Sequence, residues 1–353
     1  MAVAQRYPEL EVKGTAFEMG CQIGEGLREQ IRGFDAIAIE RVNKTVTISR
    51  EKALAVAAAC LPFVEEYSPA MLEELRGMAQ GSGLTLEELM MLQIRNQLSA
   101  KSDAACTSFS IAPRRTVERT LIGQNWDNDP ALDPFTVVLT RRPDDEPAHM
   151  TITQAGLIAY MGVSDAGIGI CLNSLPAPGR SVGVPHYFTV RGIFQARALD
   201  AAVDAVRRAH RAIPANIMLA TPQGPADLEV TIDAVHVLRD DGSGVVTHTN
   251  HCVHPALLPI NDQFPELAQS GSRKIRVDEL LENSDELLSL EHMKLVLQDH
   301  DNYPGSICRH TSDDATTGFW CSVFSIIIEV EAGLMHISRG NPCERPYEAY
   351  RLN

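Results

Sequence analysis

The stretch DAACTSFS, Asp103–Ser110, is where the pattern of the chain changes. Before it, apolar residues recur at spacings of three and four, the period of an amphipathic helix. After it, polar and apolar residues alternate, the period of a strand with one buried face. Cys106 stands at that break, behind two alanines. The question is whether it is packing material or chemistry.

Upstream, LEVKG (10–14) reads as a short strand and FEMGCQIGEGLREQIRGF (17–34) as helix. REKALAVAAACLPFVEEY (50–67) is a further helix. Ser68-Pro69 offers an N-cap and first-turn pair to the next. On that helix Met71, Leu72, Leu75 and Met78 share a face, and Gly81-Ser82-Gly83 stops it. Thr85 with Glu88 has the capping-box spacing, and the helix it opens turns Leu89, Leu92 and Ile94 inward.

Downstream, TSFSIAP, TLIGQNWD, FTVVLTRR, HMTITQA, LIAYMGVS and GIGICLNSL read as strands. FTVRGIFQARALDAAVDAVRRAHRA returns to helix, as two helices. NIMLAT, DLEVTID, AVHVLRD and GVVTHTN are strands again. SRKIRVDELLEN and LEHMKLVLQDH are helices, and CSVFSIIIEV and GLMHISRG close as strands. Regular strand–helix–strand alternation is missing. The pattern therefore predicts an α+β fold with antiparallel sheets.

Composition narrows the function. The chain has 353 residues, 44% hydrophobic and 22% charged, enough for a packed core. A net charge of −15, with no basic run longer than two arginines, argues against a nucleic-acid partner. The first residues lack an apolar leader core, and no run approaches the 18 apolar residues of a membrane span. The ending RLN is not a Ser-Lys-Leu address. Eight cysteines occur, none in a Cys-x-x-Cys pair. The expectation is a cytoplasmic protein with reduced thiols, away from membranes.

Three candidate chemistries compete. GRSVG (179–183) matches the Gly-x-Ser-x-Gly elbow, but Pro176, Pro178 and Pro185 crowd it, so Ser181 reads as loop. His248, His251, Cys252 and His254, then His300, Cys308 and His310, are metal-ligand types. Their spacings are not those of a zinc motif, so no metal and no cofactor is expected. Cys106 is the third. A cysteine in a strand is usually inert filler. Here small residues lie on its N-terminal side, and a hairpin would bring Asp127 of GQNWD beside it.

CTSFS…LIGQNWD, THTNH and SICRH, in this order, resemble the isopenicillin-N acyltransferase-like family of autoproteolytic cysteine N-terminal-nucleophile acyltransferases and amidohydrolases. EVKGTAFEMGCQIGEGLREQI and LEELRGMAQGSGLTLEELMMLQIRN are similar to the family's upstream segments, so the resemblance spans nearly the whole chain. It implies a four-layer αββα sandwich. Cys106 would attack the carbonyl of Ala105, and an N-to-S acyl shift and hydrolysis would release an α-chain (1–105) and a β-chain (106–353). The two chains would stay associated as one structural unit. The freed α-amine, with a pKa of about 7.7–8.0, would serve as base to its own thiol.

The resemblance assigns Asp127 to that amine and Asn250 to the oxyanion, where one donor is worth roughly 3–4 kcal/mol. Arg309 would be the site arginine, lowering the thiol pKa and able also to bind an aspartate. Asn173 would be a further pocket asparagine. Ala105 departs from the family, where several members carry glycine. The expected reaction is cleavage or transfer of the acyl group of a small N-acyl or peptide-like amide. The rivals are an acid-amidase or ceramidase-like hydrolase, an unprocessed relative that only binds ligand, and a metal-dependent hydrolase.

Overall fold

The computed structural model describes residues 6–98, 105–117, 119–264, 268–282, 286–314 and 318–352. After β1 (Glu9–Gly14) come α1 (Ala16–Gly26), α2 (Arg28–Val42), α3 (Arg50–Tyr67), α4 (Pro69–Ser82), α5 (Leu86–Gln93) and the short α6 (Arg95–Leu98). Local chemistry starts and stops them. Thr15 with Glu18 and Thr85 with Glu88 form capping boxes, and Ser49 and Ser68 cap α3 and α4. Gly83 ends α4 in the left-handed conformation, φ 76°. The single helix expected over 17–34 is two helices, parted at Leu27.

Helices α1 and α4 touch backbone to backbone. Gly20 and Gly24 on one face Gly77 and Gly81 on the other. A Cβ at Gly20 would lie 2.0 Å from the Glu74 carbonyl oxygen, and one at Gly77 2.2 Å from that of Phe17. Only glycine permits this approach.

The remaining strands are β2 (Ala105–Ile111), β3 (Leu121–Asn128), β4 (Thr136–Pro143), β5 (His149–Gln154), β6 (Met161–Ser164), β7 (Gly169–Asn173), β8 (Ala215–Thr221), β9 (Gly224–Val230), β10 (Val235–Arg239), β11 (Val245–His248), β12 (Cys321–Glu329), β13 (Leu334–Arg339) and β14 (Tyr347–Arg351). They form an eight-stranded sheet, ordered β1-β4-β5-β6-β7-β8-β9-β10, and a six-stranded sheet, ordered β11-β2-β3-β12-β13-β14. Pairing is antiparallel, as expected, except that β1 lies parallel to β4. Two details differ from the sequence reading. Leu157–Tyr160 precede β6 rather than joining it, and β14 had no counterpart.

The sheets stack face to face, and helices cover both outer faces. α7 (His186–Phe194) and α8 (Leu199–Arg207) share the main core with α1–α5 and the larger sheet. α10 (Ala268–Glu282) and α11 (Leu290–Leu297) cover the smaller sheet through Val277, Leu281, Met293 and Val296. The short α9 (Leu258–Asn261) precedes α10. This is the four-layer αββα order. The period of two on β2 divides its side chains: Cys106 joins the core between the sheets, while Phe109 and Ile111 join the cluster under α10 and α11.

Residues on either side of Cys106 share one core, with Ile31, Leu75 and Leu92 packed among Val138, Ile152 and Ile217. Buried Glu74 of α4 accepts a 2.8 Å hydrogen bond from Arg141 of β4. Among the described residues no helix is long and apolar enough to cross a membrane.

Candidate active site

Strands β2 and β3 pair in the register Cys106–Trp126 and Ala105–Asp127. This is the juxtaposition expected of a hairpin. The Cys106 side chain is 1% exposed, yet it forms part of the wall of a cavity of about 370 Å³. Burial pushes its thiol up to about 12, and the charge of Asp127 pushes the same way. The Asp127 backbone N–H, Arg273 and the Gln124 side chain pull it back. At neutral pH the thiol of this uncleaved chain is therefore protonated.

The backbone of Cys106 is clamped from both ends. Its N–H donates to Asn250 Oδ1 at 2.8 Å. Its carbonyl accepts from Arg273 Nη1 at 2.6 Å, and the same nitrogen donates to Thr107 Oγ1 at 3.0 Å. Arg273 Nη2 also donates to Asn250 Oδ1, at 2.9 Å. Two donors converging on Oδ1 fix which way the Asn250 amide points. Its Nδ2 donates to Ser174, at 3.0 Å to Oγ.

Asp127 accepts a 2.6 Å hydrogen bond from Ser322 Oγ on β12, where the pairing register with β3 shifts between Ser322 and Phe324. Ser322 Oγ in turn accepts from the Arg309 backbone N–H at 3.1 Å. The other Asp127 oxygen is buried without a hydrogen-bond partner among the described residues. Burial raises this carboxyl to about 7, against the pull of Arg273, Arg309 and Ser322.

The expected residues thus gather, with changed geometry. Asn250 turns its oxygen to Cys106 and its NH2 to Ser174, the reverse of an oxyanion donor in this form of the chain. Asp127 binds Ser322 rather than the Cys106 nitrogen. The cation that lowers the thiol is Arg273, whereas Arg309 acts on Asp127. Asn173 reaches Ser108 Oγ (3.0 Å) and the carbonyls of His248 (3.2 Å) and Thr249 (2.7 Å), tying β7 to β2 and to the end of β11.

Arg273 is the residue that the sequence reading missed. Its signal was its place on α10: it lies four residues before Val277 and eight before Leu281, on the helix face that is buried. Ser181 lies in the irregular segment before α7, as expected of a false elbow. The two histidine-rich segments behave differently. His248 is tied to Glu229 (2.9 Å) and His251 to Ser270 (2.9 Å), with no shared focus. His300, Cys308 and His310 do converge, joined by Cys343.

The cavity wall draws on both sides of Cys106. Arg41, Arg95 and Asn96 come from the helical segment, and Asn173, Ser174, Tyr160 and Trp320 from the strand-rich part. Arg41 is ion-paired with Asp129. Arg95 lies over the Phe34 ring at 5.1 Å, and its buried Nε has no hydrogen-bond partner among the described residues.

A clamped cysteine of this kind, an acid with an orphaned oxygen and two arginines suit acyl chemistry. A family model described as acyl-coenzyme A:6-aminopenicillanic acid acyl-transferase matches residues 114–343. The chain belongs to this acyl-transferase family. The matched span holds Asp127, Asn250, Arg273 and Arg309 and begins after Cys106. A relative from Emericella nidulans, the acyl-coenzyme A:6-aminopenicillanic-acid-acyltransferase 40 kDa form, is 27% identical over 338 residues, 94% of this chain and 92% of that protein. Two solved structures align at TM-scores below 0.5. A conjugated bile acid hydrolase variant from Clostridium perfringens scores 0.46 at 11% identity, covering 70% of this chain and 97% of that one. Penicillin V acylase from Agrobacterium tumefaciens scores 0.45 at 12% identity, covering 66% and 83%.

Proposed function

We propose that this protein is a self-cleaving cysteine amidohydrolase or N-acyltransferase with Cys106 as nucleophile. The observation that carries this is the two-ended clamp on the Cys106 backbone, set in the wall of a cavity that its side chain helps to form. A structural cysteine has no need of a buried arginine on its carbonyl and an asparagine oxygen on its nitrogen.

In the precursor, Cys106 Sγ attacks the Ala105 carbonyl carbon. The peptide C–N bond breaks, its nitrogen takes the thiol proton, and a thioester forms. Water hydrolyses the thioester and releases the Ala105 carboxylate. Cys106 now has a free α-amine. Near its pKa of about 7.7–8.0 the neutral amine accepts the thiol proton. Asn250 Oδ1, already on this nitrogen, orients it. Arg273 stabilises the thiolate, and Arg309 and Ser322 hold Asp127, whose ionised form supports the ammonium.

The thiolate then attacks the acyl carbon of a small N-acyl amide. The leaving amine takes the proton back, and water or a second amine receives the acyl group. Arg95, facing the cavity from α6, is placed to meet a substrate carboxylate. A reducing compartment, the cytoplasm, suits a protein whose eight cysteines form no disulfide among the described residues.

Denaturing mass spectrometry of the purified protein tests the cut, with two chains expected, split between Ala105 and Cys106. Cys106→Ala is expected to give one uncut, inactive chain, and Cys106→Ser a slowly cut one. An intact wild-type chain that still hydrolyses N-acyl amides at full rate would refute self-cleavage. Activity that survives Cys106→Ala would remove the nucleophile altogether.

A further inference from the structure

Away from the cavity, two loops bring four soft ligands to one point. His300, Cys308 and His310 lie between α11 and β12, and Cys343 lies in the turn after β13. All four ligand atoms fall within 4.8 Å of one another. We propose that they form a structural zinc site.

The distances carry this. A zinc ion with Zn–S about 2.3 Å and Zn–N about 2.0–2.1 Å at tetrahedral angles sets its ligand atoms roughly 3.3–3.8 Å apart. Here Cys308 Sγ and Cys343 Sγ are 3.5 Å apart. His310 Nε2 lies 3.6 Å from Cys308 Sγ and 3.4 Å from Cys343 Sγ. His300 Nε2 and His310 Nε2 are 3.1 Å apart. Hydrogen bonding explains this poorly. Two imidazole Nε2 atoms and two thiols offer few good donor–acceptor pairs, yet they share a focus. Two sulfurs and two imidazole nitrogens are a donor set that zinc takes in tetrahedral sites. Binding releases two thiol protons to solvent, and the dication with two thiolates is neutral, which suits a half-buried site.

The surroundings fit a held metal. Asn341 Nδ2 points at Cys308 Sγ (3.5 Å) and donates to the Arg309 carbonyl (2.7 Å), as outer partners of ligands do. Ser306 Oγ donates to the Cys308 carbonyl at 2.6 Å, and the His310 N–H to that of Pro304 at 3.1 Å. Four protein ligands leave no open position, so the site is structural rather than catalytic. Its effect is positional. Arg309 sits between two ligands, and its backbone N–H is on Ser322, which holds Asp127. The zinc would fix this segment relative to β12 and β13.

The test stands apart from the acyl-transfer reading, because it reads metal rather than turnover. Full-length protein, untagged and never exposed to chelator, is analysed by elemental mass spectrometry as purified and after dialysis against zinc. Equimolar zinc is expected. Replacing it with cobalt should give the intense visible bands of a tetrahedral site and thiolate-to-cobalt charge transfer in the near ultraviolet. Cys308→Ser with Cys343→Ser should lose the metal. Should that double variant fail to fold, His300→Gln, at an exposed ligand, should still fold, bind the metal more weakly and shift the visible cobalt bands as water takes the fourth position. Three results would overturn the proposal: no stoichiometric zinc under either condition, zinc retained by the folded double cysteine variant or a cobalt spectrum unaltered by His300→Gln, or a Cys308–Cys343 disulfide in the native protein.

Discussion

The α1–α4 seam and the surroundings of Cys106 are both buried, and they are built by opposite means. At the seam, side chains are removed. Gly20, Gly24, Gly77 and Gly81 let two helix backbones meet. Around Cys106, polar groups are crowded in and left incomplete. Trp126 Nε1, one oxygen each of Asp127 and Asn173, and the Nε atoms of Arg273 and Arg309 have no hydrogen-bond partner among the described residues. Buried polar atoms are usually paired, and leaving one unpaired costs about 1–3 kcal/mol. A region that tolerates several such atoms is held together by the rest of the fold. The seam gains its closeness by giving up side chains, and the strand end keeps polar atoms at the cost of leaving some unpaired.

The sharpest way to break this contrast is Gly20→Val. Its Cβ would meet backbone that cannot rotate away, so the cost exceeds the roughly 1–3 kcal/mol usual for overpacking. Loss of the cooperative thermal transition by circular dichroism is expected. A wild-type melt would show that the seam closes nothing.

Arg273→Met should do the reverse. The chain keeps its helices and its melt, while kcat/KM and the rate of self-cleavage fall by roughly 10²–10³, the scale of losing one preorganised donor. Unchanged rates would remove Arg273 from the site.

Asp127 separates the two roles by pH. Its carboxyl is held near 7 by burial, against 3.8 when exposed. Between these values the folded chain binds a proton that the unfolded chain has released. Stability therefore falls as pH rises from about 4 to about 7 and is flat beyond. Asp127→Asn, compared in a Cys106→Ala background, should remove that slope. Its melting temperature relative to the parent should climb with pH up to about 7. A constant offset would mean that Asp127 does not titrate there.

The smallest effect is expected at Gly83. It has positive φ but nothing within 4 Å of an added Cβ. Gly83→Ala should cost about 1 kcal/mol from backbone conformation alone. Measured by denaturant titration, it calibrates how much of the Gly20 effect is contact.

What could be read from sequence was local. The capping boxes at Thr15 and Thr85 (the latter foreseen) need only four consecutive residues. The change of period at Cys106 needs a dozen, and β2 does begin at Ala105. Pairings set by distant parts of the chain were not legible. The parallel contact of β1 with β4 joins Glu9 to Val138, and nothing in either strand announces the other. Arg273 looked like one more charge on a surface helix until α10 was laid against β2. The orientation of Asn250 depends on that arginine. Cys343, in an unremarked Asn-Pro-Cys turn, completes a cluster whose other members lie more than thirty residues away.

The parallel contact of β1 has a consequence for making the protein. β1 covers the edge of the larger sheet, on β4 (Thr136–Pro143), whose Val137, Val138 and Leu139 are buried. A chain started directly at Cys106 would leave β4 with a row of unpaired backbone donors and acceptors, a template for other chains. Such a product is expected to aggregate, and the 1–105 segment supplied from a second reading frame should return it to solution.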